Sequence, residues 1–236
     1  MTTESIRKYL NLLLEVDQRY LYDTDDNYQW VPLSEDDNLA ERDKTDELDF
    51  SPDDSFDDVI KKVMSNEENR IGIGKYRQGW HHPFDKRLVI KIATPRDENS
   101  KKECALRNFW EYLVWHKCKS ENLPELEHLM PVKDIHPDGL WMTQRKGTRV
   151  PKDKKVNIKG DMTWVGDRTK VNFAMLGDEI KSIDYGTKKA IEHLGLPLEY
   201  DAAHAAVNKI LKAKGVDVND PNYGKSKPAK DPLNPG

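Results

Sequence analysis

The chain has 236 residues, 36% hydrophobic and 34% charged, with a net charge of −4. That length allows one or two domains with a sizeable core, and the near-balanced charge gives no global pull towards nucleic acid or an acidic membrane. No apolar run reaches the roughly 18 residues of a membrane span, and the N-terminus lacks a signal-peptide pattern. Cys104 and Cys118 have no C-x-x-C partner and read as reduced thiols, so the expectation is a soluble, cytoplasmic protein.

Residues 3–20 read as an amphipathic helix capped by Thr3, with Ile6, Tyr9, Leu10, Leu13, Leu14 and Val16 on one stripe. The stripe must bury against the protein's own core or against a partner protein. Residues 22–67 form an acidic linker or loop, with a helical turn expected over Val59 to Met64. Asp23, Asp25 and Asn27 have the spacing that opens a calcium loop. Tyr28 stands where the turn glycine belongs and Ser34 where the closing Glu belongs, so calcium is excluded there.

Residues 68–144 carry the clearest pattern. Arg70 to Trp80 reads as two β-segments around Gly72 and Gly74, followed by the polar turn His81 to Arg87, in which His81 and His82 read as loop residues. Leu88 to Ala93 is a strong strand interrupted by Lys91. A lysine on a buried strand is costly unless paired, so either its face is exposed or a carboxylate meets it. Ser100 and Glu103 form a capping box that opens a helix to about Lys119. Leu106, Phe109, Trp110, Leu113 and Val114 make its apolar stripe, and Glu111 sits on the shoulder of that stripe. Two strands follow, around the turn His136 to Gly139.

Residues 145–163 are basic and irregular, and Asp167 and Asn172 precede a hairpin. Phe173 to Leu176 and Ile180 to Ile183 are its strands, Gly177-Asp178 its turn, and Asp184-Tyr185-Gly186 follows. The hairpin gathers Asp167, Asn172 and Asp184 at one end, hard oxygen ligands of the type Mg²⁺ takes alongside phosphates. Helices are expected over Thr187 to Leu194 and Asp201 to Lys214, before a Pro-rich basic tail over 216–236.

In order, these are a glycine turn, a strand with a central Lys, a helix with a Glu, two strands, D-x-x-x-x-N, a hairpin and D-Y-G. The set resembles the protein-kinase fold over roughly residues 68–190. The resemblance implies an α+β fold with an antiparallel-sheet N-lobe (68–144), one long helix and a reduced helical C-lobe (145–215). It also implies ATP and Mg²⁺ as cofactors. Gly72 and Gly74 would cover the phosphates, and Lys91, oriented by Glu111, would hold them. Asn172 and Asp184 would bind the metal, Asp167 would accept the proton of the attacking hydroxyl, and Thr143 would contact adenine. Several features depart from the family. Arg77 stands at the third glycine, Val165 and Gly166 replace His and Arg, and no A-P-E follows. The opening segment and the D-Y-G variant are also similar in style to small kinase-like proteins encoded by bacteriophages, for which host cytoplasm or virion would be the location.

Two functions remain open on these residues: an ATP- and Mg²⁺-dependent phosphotransferase, foremost a minimal Ser/Thr protein kinase, and an inactive nucleotide-binding or scaffolding relative. Nucleic-acid binding through Lys152 to Lys155 and the tail lysines is set aside, because no aromatic platform accompanies them.

Overall fold

The computed structural model of the protein describes residues 31–32, 44–51, 53–151, 154, 164, 172–220 and 223. The helix expected over 3–20, Asp167 and the tail beyond 223 lie outside them. The fold is α+β and is built on antiparallel sheets. Strands β1 (Val31–Pro32), β2 (Arg70–Ile73), β3 (Arg77–His81), β4 (Leu88–Ala93), β5 (Val132–Ile135) and β6 (Trp141–Arg145) form one sheet in the order β1-β2-β3-β4-β6-β5. Strands β7 (Thr148–Arg149), β8 (Phe173–Leu176) and β9 (Glu179–Ser182) form a second.

β4 is central and covered on both faces, which is why it reads as an almost unbroken apolar run. Successive side chains alternate between the faces. Ile90 and Ile92 pack with Trp80 and Trp141 against helix α1 (Phe56–Met64). α1 is longer than the turn expected from Val59. Ser55 caps it by accepting from the Asp58 amide, and Phe56, Val59, Ile60, Val63 and Met64 are buried. Part of the stretch that reads as acidic linker therefore supplies core.

The opposite face, bearing Lys91, meets helix α2 (Glu98–Ser120). Its 23 residues span about 34 Å at 1.5 Å per residue. The cap differs from the expected box at Ser100. Asp97 is the N-cap, its carboxylate accepting from the Ser100 amide at 2.7 Å, while the Ser100 hydroxyl returns to the Asp97 backbone. Phe109, Trp110, Leu113 and Val114 are buried as the stripe requires, whereas Leu106 is only partly buried. Tyr112 and Cys118 are buried as well, because α3 (Lys188–His193) and α4 (Tyr200–Ala213) pack in the same core. Both cysteines are free, and burial pushes Cys104 up to about 12 and Cys118 up to about 11, which leaves both thiols protonated.

Of the two histidines read as loop residues, His82 does lie in the loop after β3, whereas His81 belongs to the strand. His81 ends β3, and both are buried. The Nδ1 of His82 accepts from the Phe84 and Asp85 amides at 3.2 and 3.1 Å, so its ring closes the turn that the sequence shows only as polar.

Candidate functional site

Register fixes which side chains share a face. Gly72 lies opposite Gly79, Gly79 opposite Lys91, and Lys91 opposite Met142. On this row two buried glycines flank Lys91 on the β3 and β2 side, so no side chain stands next to it there, while Met142 flanks it on the β6 side. The Gly74 amide donates to the Arg77 carbonyl at 2.8 Å and closes the turn between β2 and β3.

The lysine on β4 is paired. Lys91 Nζ donates to Glu111 Oε1 at 2.7 Å, and also to the Ile183 carbonyl. Glu111 is 0% exposed, and it accepts from Gln144 Nε2 at 2.8 Å through the same oxygen. Its other oxygen, Oε2, meets Arg77 Nη1 at 2.7 Å. A carboxylate buried this deeply is tolerable only with such partners. Arg77 comes from β3, two positions from Gly79 and therefore on the same face, and its second terminal nitrogen reaches Asp184. Asn108 contributes a further contact to Nη1 at 3.4 Å.

The β8–β9 hairpin forms where expected, in register Phe173 to Ser182. The Ile183 amide donates to the Asn172 carbonyl at 2.9 Å, which places Asn172 and the Asp184 segment at the same end of the hairpin. The hairpin is tied to the first sheet through the Met130 amide, which donates to Ser182 at 2.9 Å. Tyr185 is fully buried, and its hydroxyl donates to the Met130 carbonyl at 2.7 Å. The next residue, Gly186, lies hard against α2. A Cβ there would stand 2.7 Å from the Arg107 carbonyl and 3.0 Å from Glu111 Cβ. Only glycine lets the D-Y-G segment approach the helix that carries Glu111.

Charges in this group balance, Arg77 and Lys91 against Glu111 and Asp184. Burial lowers the Lys91 pKa, and the Arg77 charge adds to that, with Glu111 opposing. Burial works against the Arg77 cation too, but Glu111 and Asp184 outweigh it and raise its pKa. Dense surroundings disfavour the Asp184 carboxylate, whereas Arg77, Lys91 and Arg107 together hold its carboxyl below the usual range. The side chain of Asp184 stays 40% exposed. Burial and the nearby Glu111 charge push the Tyr185 hydroxyl far up, so it remains a donor.

Among the sequence-derived candidates, Lys91, Glu111 and Asp184 come together through Arg77, Asn172 lies at the same end of the hairpin as Asp184, and Gly72 stands two strands away on the row of Lys91. Asp167 lies outside the described residues. Thr143 is placed differently from expectation. It sits inside β6 opposite Ile90, on the α1 face, and its hydroxyl accepts from the Asp134 amide at 3.0 Å. Gln144, not Thr143, points to the Lys91 side. Sequence reasoning missed Arg77 and Gln144 as partners of Glu111. The available signal was an arginine two positions before Gly79 in a segment flanked by Trp80, where alternation already implied a shared face.

Among the described residues no group of three or more His, Cys, Asp or Glu converges to hold a metal ion. An ionised, partly open Asp184, with Asn172 at the same end of the hairpin, nevertheless has the donor chemistry for a hard divalent cation that brings its own phosphate and water ligands. Among the described residues no helix is long and apolar enough to cross a membrane. Comparison with known families, curated proteins and solved structures finds no match.

Proposed function

We propose that this protein is a phosphotransferase of protein-kinase-like fold, a minimal Ser/Thr kinase that uses ATP and Mg²⁺. The observation that carries the reading is the buried Lys91–Glu111 ion pair beside Asp184. A lysine in a central strand that also contacts the segment ahead of D-Y-G is well placed for phosphates and poorly explained by packing. The strand order and the single long helix between β4 and β5 support the same reading.

In this reading Lys91 holds the α- and β-phosphates, oriented by Glu111, and Gly72 and Gly74 let backbone approach them. Asn172 and Asp184 would hold Mg²⁺, which when bound would supply neutralisation of the phosphate charge. Asp167 would take the proton of a Ser or Thr hydroxyl as its oxygen bonds to the γ-phosphorus and the bond to ADP breaks. Adenine contacts fall to the chain leaving β6 after Arg145 rather than to Thr143, whose side chain faces away.

A second reading, an inactive nucleotide-binding or scaffolding relative, is favoured by one observation: the metal-ligand candidate Asp184 is ion-paired with Arg77. Transfer of labelled γ-phosphate from ATP with Mg²⁺, to a generic protein and to the protein itself, separates the two. Wild type is expected to incorporate label, with Lys91→Ala and Asp184→Asn each losing roughly 100-fold or more. No transfer by wild type, with ATP still raising the unfolding temperature, would favour the inactive relative. Neither transfer nor ATP binding would refute every nucleotide-dependent reading and leave only a scaffold.

A further inference from the structure

We infer that Arg77 is the resident counter-ion of Asp184 and keeps this carboxylate from taking a divalent cation unaided, so that metal enters the site only together with phosphates. The inference rests on the reading of Asp184 as a metal ligand. Arg77 is 8% exposed and its fork spans two carboxylates, Glu111 through Nη1 at 2.7 Å and Asp184 through Nη2. A planar guanidinium can hold two anions in fixed geometry, which a lysine ammonium on a flexible stem does not match. The side chain therefore connects β3, the middle of α2 and the segment after β9 in one contact set.

The charge count gives the consequence. With Arg77 present, the two cations and two carboxylates cancel, and the group has no net attraction for a further cation. A divalent ion at Asp184 would lie within a few ångströms of the guanidinium, and in partly desolvated surroundings that repulsion is strong. Arg107 adds positive charge on the same side: its guanidinium stacks over Tyr76 at 4.5 Å and over Trp110 at 4.8 Å. Arriving phosphates change the balance. They offer Arg77 and Lys91 a new anion and leave Asp184 to the metal they bring. Arg77 is thus a positioning residue that orders binding.

The test is a Mn²⁺ titration of the full chain without nucleotide, read from the electron paramagnetic resonance signal of the free ion. Wild type is expected to take up no Mn²⁺ through Asp184. Arg77→Gln is expected to bind one ion at least about tenfold more tightly, since a unit charge has been removed. Asp184→Asn added to Arg77→Gln should abolish that binding, and Arg77→Lys, which keeps the charge but not the fork, should bind the ion more weakly than Arg77→Gln. Uptake by wild type that matches Arg77→Gln and is lost in Asp184→Asn overturns the inference, as does a folded Arg77→Gln protein that binds no metal. Should Arg77→Gln not fold, wild type alone decides: Asp184-dependent uptake without nucleotide refutes the proposal, and its absence, with uptake once ATP is added, supports it. Failure of the phosphotransferase reading looks different, because ATP then brings no Mn²⁺ to any variant while the Arg77→Gln titration still gives its own answer.

Discussion

Replacing Glu111 by Gln tests the electrostatic centre of the molecule directly. The carboxylate is 0% exposed, with Lys91 at 2.7 Å, Arg77 at 2.7 Å and Gln144 at 2.8 Å. Glutamine keeps the shape and removes the charge. Two buried cations are then left with Asp184 alone, and Asp184 is partly open to solvent. Breaking a buried pair by removing one partner costs about 3–5 kcal/mol, because the uncompensated charge stays in the interior. Natural domains have only about 5–15 kcal/mol in total, so the variant is expected to be folded but marginal. In urea the midpoint should fall by roughly 1–3 M at unchanged slope. The double variant Lys91→Met/Glu111→Leu should lose less than the sum of its single changes, since it removes both charges and leaves apolar volume. A Glu111→Gln loss below about 1 kcal/mol at unchanged slope would refute the placement of this carboxylate as a buried ion-pair partner.

Two further predictions concern acid and packing. Burial, and then the Lys133 charge, lower His82 from 6.5 to about 4, so the unfolded chain binds more protons between those values. Stability is therefore complete above pH 6.5 and declines as pH falls towards 4, by about 3 kcal/mol in all. His82→Gln is expected to flatten urea midpoints over that window, and a variant as acid-sensitive as wild type there would show that His82 is not the group responsible. Gly186→Ala would drive a methyl into the Arg107 carbonyl at 2.7 Å. It should destabilise by about 1–3 kcal/mol and weaken ATP binding, because D-Y-G must move off α2. A neutral effect in both measurements would mean that the close approach is dispensable.

Much of the site was legible because its signals are local. A lysine in a β-branched run, a glutamate at the edge of a helical stripe, and a hairpin with Asn172 and Asp184 at its ends need only neighbouring residues to be recognised. The paired ends follow from the hairpin register, and the bond from Ile183 to Asn172 completes them. The helix cap was misread by three positions because Asp97 and Ser100 each have the chemistry of a cap. The tie was settled by the Asp97 carboxylate, which accepts from the Ser100 amide. The resemblance implied Thr143 at a strand end, whereas Arg145 pairs with Leu88 and carries the strand past it.

The sequence by itself determined the strand that carries Lys91, the long helix that carries Glu111 and the Gly177-Asp178 turn of the second hairpin, since each depends on residues a few positions apart. Tertiary structure alone decided that Lys91 is buried, that Glu111 serves two cations, that Arg77 bridges to Asp184 across 107 residues, and that His82 is neutral in the interior. The physical reason is that burial and ion pairing are set by what packs over a side chain. For these residues, that covering comes from elements far away in the chain.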